Sequence, residues 1–217
     1  MTHKTHSPFL VVENFISPSI CEKLISELGI KDPTSDEAGK VFKNERILKD
    51  TEYVHLFKSR IQEHVSTIEQ KYSASVVGME NPIFTQYFED AKNPCEPHGC
   101  ENAKYLRKKW VKVKDVDLVG YVWLKDFNNG VPLDPRFEVY GGKLEFAGYN
   151  FSLVPQRGTL VLFPAGPHFI TAISPVLVGS LEQVKFSIKL KADNQGGWVY
   201  QPANFPGSYQ EWFSELE

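Results

Sequence analysis

The chain has 217 residues, 41% of them hydrophobic, with a formal net charge of −3 and a pI near 6.1. That length can bury a full core and fits one domain of about 100–200 residues with additions. The acidic balance gives no general attraction to phosphate backbones or anionic lipid, so neither nucleic acid nor membrane is the expected partner. The first residues, MTHKTHSPFLVVENF, lack the apolar core and small residues of a secretory signal, and no run approaches the roughly 18 apolar residues of a membrane span. The expectation is a soluble, cytoplasmic protein.

Taken in chain order, PFLVVENFISPSICEKLISEL reads as a short strand, a turn and a helix. Ser17 is placed to cap it, Pro18 stands at the first helical position, and Ile20, Leu24, Ile25 and Leu28 form an apolar stripe. A second helix is expected over about residues 50 to 71, where Val54, Phe57, Ile61, Val65 and Ile68 recur at helical spacing. After about residue 80 the texture changes to short β-branched and aromatic runs between turn residues: NPIFTQYF, LVGYVWL, GGKLEF, NFSLVP, GTLVLF, HFITAISPV and VKFSIKL. Helices set before a run of strands argue for a helix-backed β domain and against alternating β-α-β units. The segments expected are a helical support region over 1–78, a β core over 79–192 and a C-terminal extension over 193–217. The longest irregular piece, residues 126 to 142, is either an active-site lid or decoration.

Chemistry concentrates in NPCEPHGCEN, residues 93 to 102. Cys95 and Cys100 have no second pair downstream, and with Cys21 they make three cysteines, too few for a disulfide framework or a structural zinc site. Of six histidines, His3 and His6 fall in the terminus and His55 and His64 within the second helix. His98 and His168 remain, each where strands meet turns.

The order YFEDAKNPCEPHGCEN, LVGYVWLKDFN, GGKLEF, VPQRGTLVLFPAGPHFITAISPV and VKFSIKL resembles the 2-oxoglutarate- and Fe(II)-dependent dioxygenases of the prolyl 4-hydroxylase type. FLVVENFISPSICEKLI is also similar to that family's leading strand and helix, so the likeness covers almost the whole chain. The resemblance implies a double-stranded β-helix, a cupin-like jelly roll backed by two or more helices. It also implies Fe(II) held by two histidines and a carboxylate, with positions left open for 2-oxoglutarate and O2. His98 matches the proximal histidine and His168 the distal one. Lys185 matches the basic residue that pairs with the far carboxylate of 2-oxoglutarate, and Tyr87 the tyrosine that hydrogen-bonds it. The activity implied is hydroxylation of a peptidyl or free amino-acid side chain, with release of succinate and CO2. A catalytically inactive binding module and a nucleobase demethylase are the alternatives, the latter disfavoured by the acidic balance.

Two departures from the family pattern matter. Its carboxylate position is occupied by Cys100. In a regular strand Cys100, and not Glu101, shares a face with His98, whereas a bulge eased by Gly99 would turn Glu101 there. The favoured set is His98, Glu101 and His168, with Cys100 or solvent as alternatives for the third position. Asp115 and Asp117 read as ordinary turn acids. The second departure is spacing, because the family's basic residue follows its distal histidine more closely than Lys185 follows His168. Sliding the match places Thr171 in the histidine slot and Leu181 in the basic slot, which describes an inactive relative. The reading with a longer hairpin is preferred because it keeps His168 and Lys185. Arg136 and Tyr140 in the long loop, and the C-terminal segment, are expected to shape a substrate site; Trp198 and Trp212 in that segment are expected chiefly to pack helices on the sheet.

Overall fold

The computed structural model describes residues 7–30, 43–49, 52–91, 100–146 and 150–191. Strand β1 (Leu10–Val12) leads into helix α1 (Pro18–Leu28), where the Ser17 hydroxyl accepts from the Ile20 amide at 3.4 Å and Pro18 opens the first turn. The expected stripe buries Cys21, Leu24 and Leu28. Helix α2 (Glu52–Tyr72) buries Tyr53, Val54, Phe57, Ile61, Ile68 and Tyr72. The Tyr53 hydroxyl donates to Glu27 at 2.5 Å, and Lys23 pairs with Glu52, so the two helices are joined at their rims as well as through the core.

The remaining strands are β2 (Lys43–Ile47), β3 (Ser75–Met79), β4 (Ile83–Tyr87), β5 (Ala103–Leu106), β6 (Lys109–Lys112), β7 (Leu118–Trp123), β8 (Asp126–Phe127), β9 (Glu138–Gly141), β10 (Leu144–Phe146), β11 (Phe151–Leu153), β12 (Leu160–Pro164), β13 (Thr171–Ile173), β14 (Val176–Val178) and β15 (Leu181–Lys191). The main sheet has seven strands in the order β1-β12-β7-β15-β4-β2, with β3 also pairing β15. Facing it are the three-stranded sheets β11-β10-β13 and β14-β9-β8, while β5 and β6 form a separate hairpin. This is the jelly roll backed by two helices. Three of the main strands, β1, β2 and β3, come from the first 79 residues, so the stretch read as helical support also builds the sheet.

Strand alternation sorts the side chains into two cores on either side of the main sheet. On the helix side, Leu118, Val122, Leu160, Leu162, Val184 and Phe186 meet Phe15, Leu24, Phe57 and Ile61. On the barrel side, Val119, Tyr121, Trp123, Val161, Phe163 and Leu181 meet Leu144, Phe146 and Ile173 from the smaller sheets and Phe169 from the turn before β13. Close approach fixes two glycines. A Cβ at Gly120 would stand 2.7 Å from the Phe186 ring, and at Gly158, with φ +74, it would stand 2.3 Å from the Ile16 carbonyl oxygen.

The helix side of β15 also carries Glu182, almost fully buried, in a 2.9 Å ion pair with the equally buried Lys125. Lys125 donates to the carbonyls of Pro135 and Ser180 and lies 3.0 Å from the Ser180 hydroxyl; Glu182 accepts from Gln86 and Ser180. Gln86 in turn clasps the amide and carbonyl of Ile30. The network ties the loop after β8 and the end of α1 to the sheet.

Candidate binding site in the barrel interior

On β15, Leu181, Gln183 and Lys185 alternate onto the barrel side, opposite Val184 and Phe186. Lys185 pairs in register with Tyr121 of β7 on one side and Ile83 of β4 on the other, and its Nζ lies 6.0 Å from the centre of the Tyr121 ring. It also lies 2.5 Å from Glu101 Oε1, and both side chains are less than a quarter exposed. Tyr87 ends β4 opposite Leu181, with the Lys43 ammonium 5.2 Å from its ring centre.

Both phenols are held in the protonated form. Burial pushes Tyr121 well above its ordinary range, reinforced by the negative charge of Glu101, while a hydrogen bond with the Thr171 hydroxyl opposes the shift. Burial also raises Tyr87, against the charges of Lys43 and Lys185. One ammonium and two phenols on the barrel face of the main sheet therefore gather with the Thr171 hydroxyl of β13, and Glu101 supplies the carboxylate that Lys185 holds. Such a set can bind a small anionic ligand by charge-assisted hydrogen bonds.

The sequence-derived site residues divide as follows. Glu101, Lys185 and Tyr87 come to one region. His98 lies outside the described residues, as do Cys95 and Gly99, and so do Trp198 and Trp212. Residues 100 to 102 form no strand: the Cys100 amide donates to the Ala103 carbonyl at 3.0 Å and closes a bend, so strand alternation does not assign faces to Cys100 and Glu101. The Cys100 sulfur lies 3.5 Å from the Ala103 carbonyl and 3.6 Å from Asn102 Oδ1, and burial raises its pKa to about 11. The thiol is turned back on its own bend.

His168 sits in a short 3-10 turn, Pro167–Phe169, ahead of β13, half-buried and with burial lowering its pKa. Thr171 opens β13 itself, pairs with Phe146 of β10 and reaches Tyr121. Leu181 is fully buried. Among the described residues no three His, Cys, Asp or Glu side chains converge as a metal site, a finding that bears only on sets without His98. Of the residues matched to a metal-binding role, the described ones are Glu101, which Lys185 engages, and His168, in the turn before β13.

Asp115 and Asp117 serve structure, the first pairing with Lys189, the second with Lys112 and the Leu190 amide. Arg136 is 78% exposed and clamps Asp134 in two contacts. It lines a cavity of about 640 Å³ on the opposite face of the main sheet, whose floor is the satisfied Lys125–Glu182 network. Sequence reasoning missed Tyr121 and met Thr171 only in the slid family match. The signal for Tyr121 was its place two residues from Val119 and Trp123 in a strand that must face both ways.

No family model and no curated protein matches the chain. Solved structures do. A viral collagen prolyl hydroxylase from Paramecium bursaria Chlorella virus 1, in complex with 2-oxoglutarate, aligns with a TM-score of 0.61 at 14% identity, covering 86% of this chain and 97% of that one. A prolyl-4-hydroxylase from Pseudomonas putida gives 0.58 at 12%, covering 87% and 95%. A prolyl hydroxylase from Trichoplax adhaerens, in complex with a hypoxia-inducible-factor peptide fragment, gives 0.53 at 11%, covering 85% and 84%. The chain has a prolyl-4-hydroxylase-like fold. No helix among the described residues is long and apolar enough to cross a membrane.

Proposed function

We propose, from this prolyl-hydroxylase-like fold, that the chain is a binding module whose barrel interior takes a small carboxylate at Lys185, without the iron chemistry of its structural neighbours. The observation that carries this reading is the pair of interior contacts, Lys185 with Glu101 and Tyr121 with Thr171. In the first, a carboxylate is seated on Lys185. The second involves the Thr171 hydroxyl, the residue that the slid family match aligns with the distal histidine, and the same slide aligns buried Leu181 with the basic residue, which supports the reading. A fold hosts many functions, so the site and not the barrel decides.

The Glu101–Lys185 contact also favours a second reading, the Fe(II)- and 2-oxoglutarate-dependent hydroxylase of a peptidyl or amino-acid side chain. One movement of Glu101 would free a carboxylate for a metal and a lysine for the co-substrate together. In that reading His98, Glu101 and His168 hold Fe(II), Lys185 and Tyr87 hold 2-oxoglutarate, and the bound iron supplies O2 activation. The protein's own part is to orient the ligand and exclude water.

One titration separates the two. Under anaerobic conditions, 2-oxoglutarate or succinate should raise the Tm of the wild type but not of Lys185→Met, and Fe(II) added with 2-oxoglutarate should produce no visible charge-transfer band. A band, together with succinate release in air, would establish the hydroxylase reading. No Tm shift with either acid would sink the binding reading.

A further inference from the structure

The β5–β6 hairpin lies outside the site described above, and what it binds is independent of what the barrel holds. Between residues 104 and 114 it carries Lys104, Arg107, Lys108, Lys109, Lys112 and Lys114 with no acidic residue, all six exposed, in a chain whose net charge is −3. Six of the chain's 24 Lys and Arg residues thus sit on one hairpin of a molecule that is acidic overall. Lys112 reaches Asp115 and Asp117, whereas Lys104, Arg107, Lys109 and Lys114 form no ion pair among the described residues.

The tip is a two-residue connection, Arg107 and Lys108, with φ of 50° and 62°. Such primed turns favour Asn-Gly because both positions need the left-handed region, which is unfavourable for side chains with a Cβ. Here two long cations occupy it.

Register places Lys104, Leu106, Lys109 and Val111 on one face, and Ala103, Tyr105, Trp110 and Lys112 on the other. Leu106, 48% exposed, thus stands beside the cations of the first face, and Val113, 47% exposed, lies between Lys112 and Lys114. The hairpin pairs with no other strand among the described residues, and the Ala103 carbonyl at its base accepts from the Cys100 amide. We infer that the β5–β6 hairpin is a docking surface for an extended acidic polypeptide segment with interspersed apolar side chains. Charge complementarity selects the acids, Leu106 and Val113 the apolar positions, and the run of cations along both strands an extended backbone. A nucleic acid fits less well. Tyr105 and Trp110 pack on each other, ring centres 5.5 Å apart and only partly exposed, so they offer no open stacking platform. The acidic remainder of the chain would also repel a long polyanion.

The test is fluorescence anisotropy of the full chain with a fluorescein-labelled peptide of glutamate and leucine separated by serines, its glutamine counterpart, and single- and double-stranded DNA. The acidic peptide should bind and weaken as salt rises, and Lys104→Glu/Arg107→Glu/Lys109→Glu should weaken it about tenfold or more. Arg107→Asn/Lys108→Gly should weaken binding while raising Tm, which separates lost recognition from lost folding. Equal binding of the glutamine peptide, tighter binding of either DNA, or an undiminished triple variant would overturn the inference.

Discussion

The neutral groups around Lys185 make direct predictions. Thr171→Val keeps the shape of the side chain and removes the hydroxyl that Tyr121 meets, leaving a buried phenol short of a partner; urea denaturation should show a loss of about 1–2 kcal/mol. Burial raises Cys21 to about 12 and Cys100 to about 11, against 9.0 for an ordinary thiol. A maleimide at mild pH should therefore label neither at the rate of a free thiol, and Cys21, fully buried, should react only on unfolding. An acid whose folded pKa is raised stabilises the fold below its unfolded pKa. The contribution of these thiols is therefore intact at neutral pH and lost as pH climbs from 9.0 toward the folded values. Little of this was legible in the sequence. Lys185 and Tyr87 could be picked out by their match to the residues that hold 2-oxoglutarate in the family the chain resembles, but a tyrosine in LVGYVWL looks like any core aromatic. The local geometry of His168 was hidden for another reason: Gly166 and Pro167 turn the chain into a 3-10 turn before β13 begins, so the strand face starts at Thr171.

At the scale of elements, β15 couples the two sides of the sheet, and its helix-side pair can be tested apart from the site. Lys125→Met leaves the Glu182 carboxylate buried without its cation and should cost about 3–5 kcal/mol in urea unfolding. Lys125→Met/Glu182→Leu removes both charges and should recover most of that loss. Gly158→Ala drives a Cβ into the Ile16 carbonyl, a backbone atom with nowhere to go, in a conformation unsuited to alanine; Tm should fall steeply or the protein fail to accumulate. The helices and the apolar strands were readable because periodicity and burial agree in them. Strand β2, KNERI, was not, because its side chains are mostly exposed and backbone pairing with β4 supports it. The β5–β6 hairpin was hidden likewise: a run of lysines with Arg-Lys at the turn carries neither the alternation nor the turn residues that announce a hairpin.

For the whole molecule, the two cores share one sheet and should unfold together. Phe186→Ala, beneath Gly120, should cost about 3–5 kcal/mol, and the shift in urea midpoint should be the same by tryptophan fluorescence and by far-UV circular dichroism. Under the binding reading, EDTA or added Fe(II) alone should leave Tm unchanged. The jelly roll was legible because the order of apolar runs follows its topology, whereas the parts played by the first residues in the main sheet were not, since pairing partners lie far along the chain. Those parts have a consequence for assembly. β1 and β2 occupy the two ends of the main sheet, so strands from the N-terminal side of the chain close both of its flanks. The flank at β12 awaits β1, which pairs across most of the length of the chain, Leu10 opposite Leu162, a long-range closure that makes folding slow. A chain trimmed of its first four dozen or so residues would present two long hydrogen-bonding rims to its neighbours, and it should polymerise rim to rim before it loses its β content.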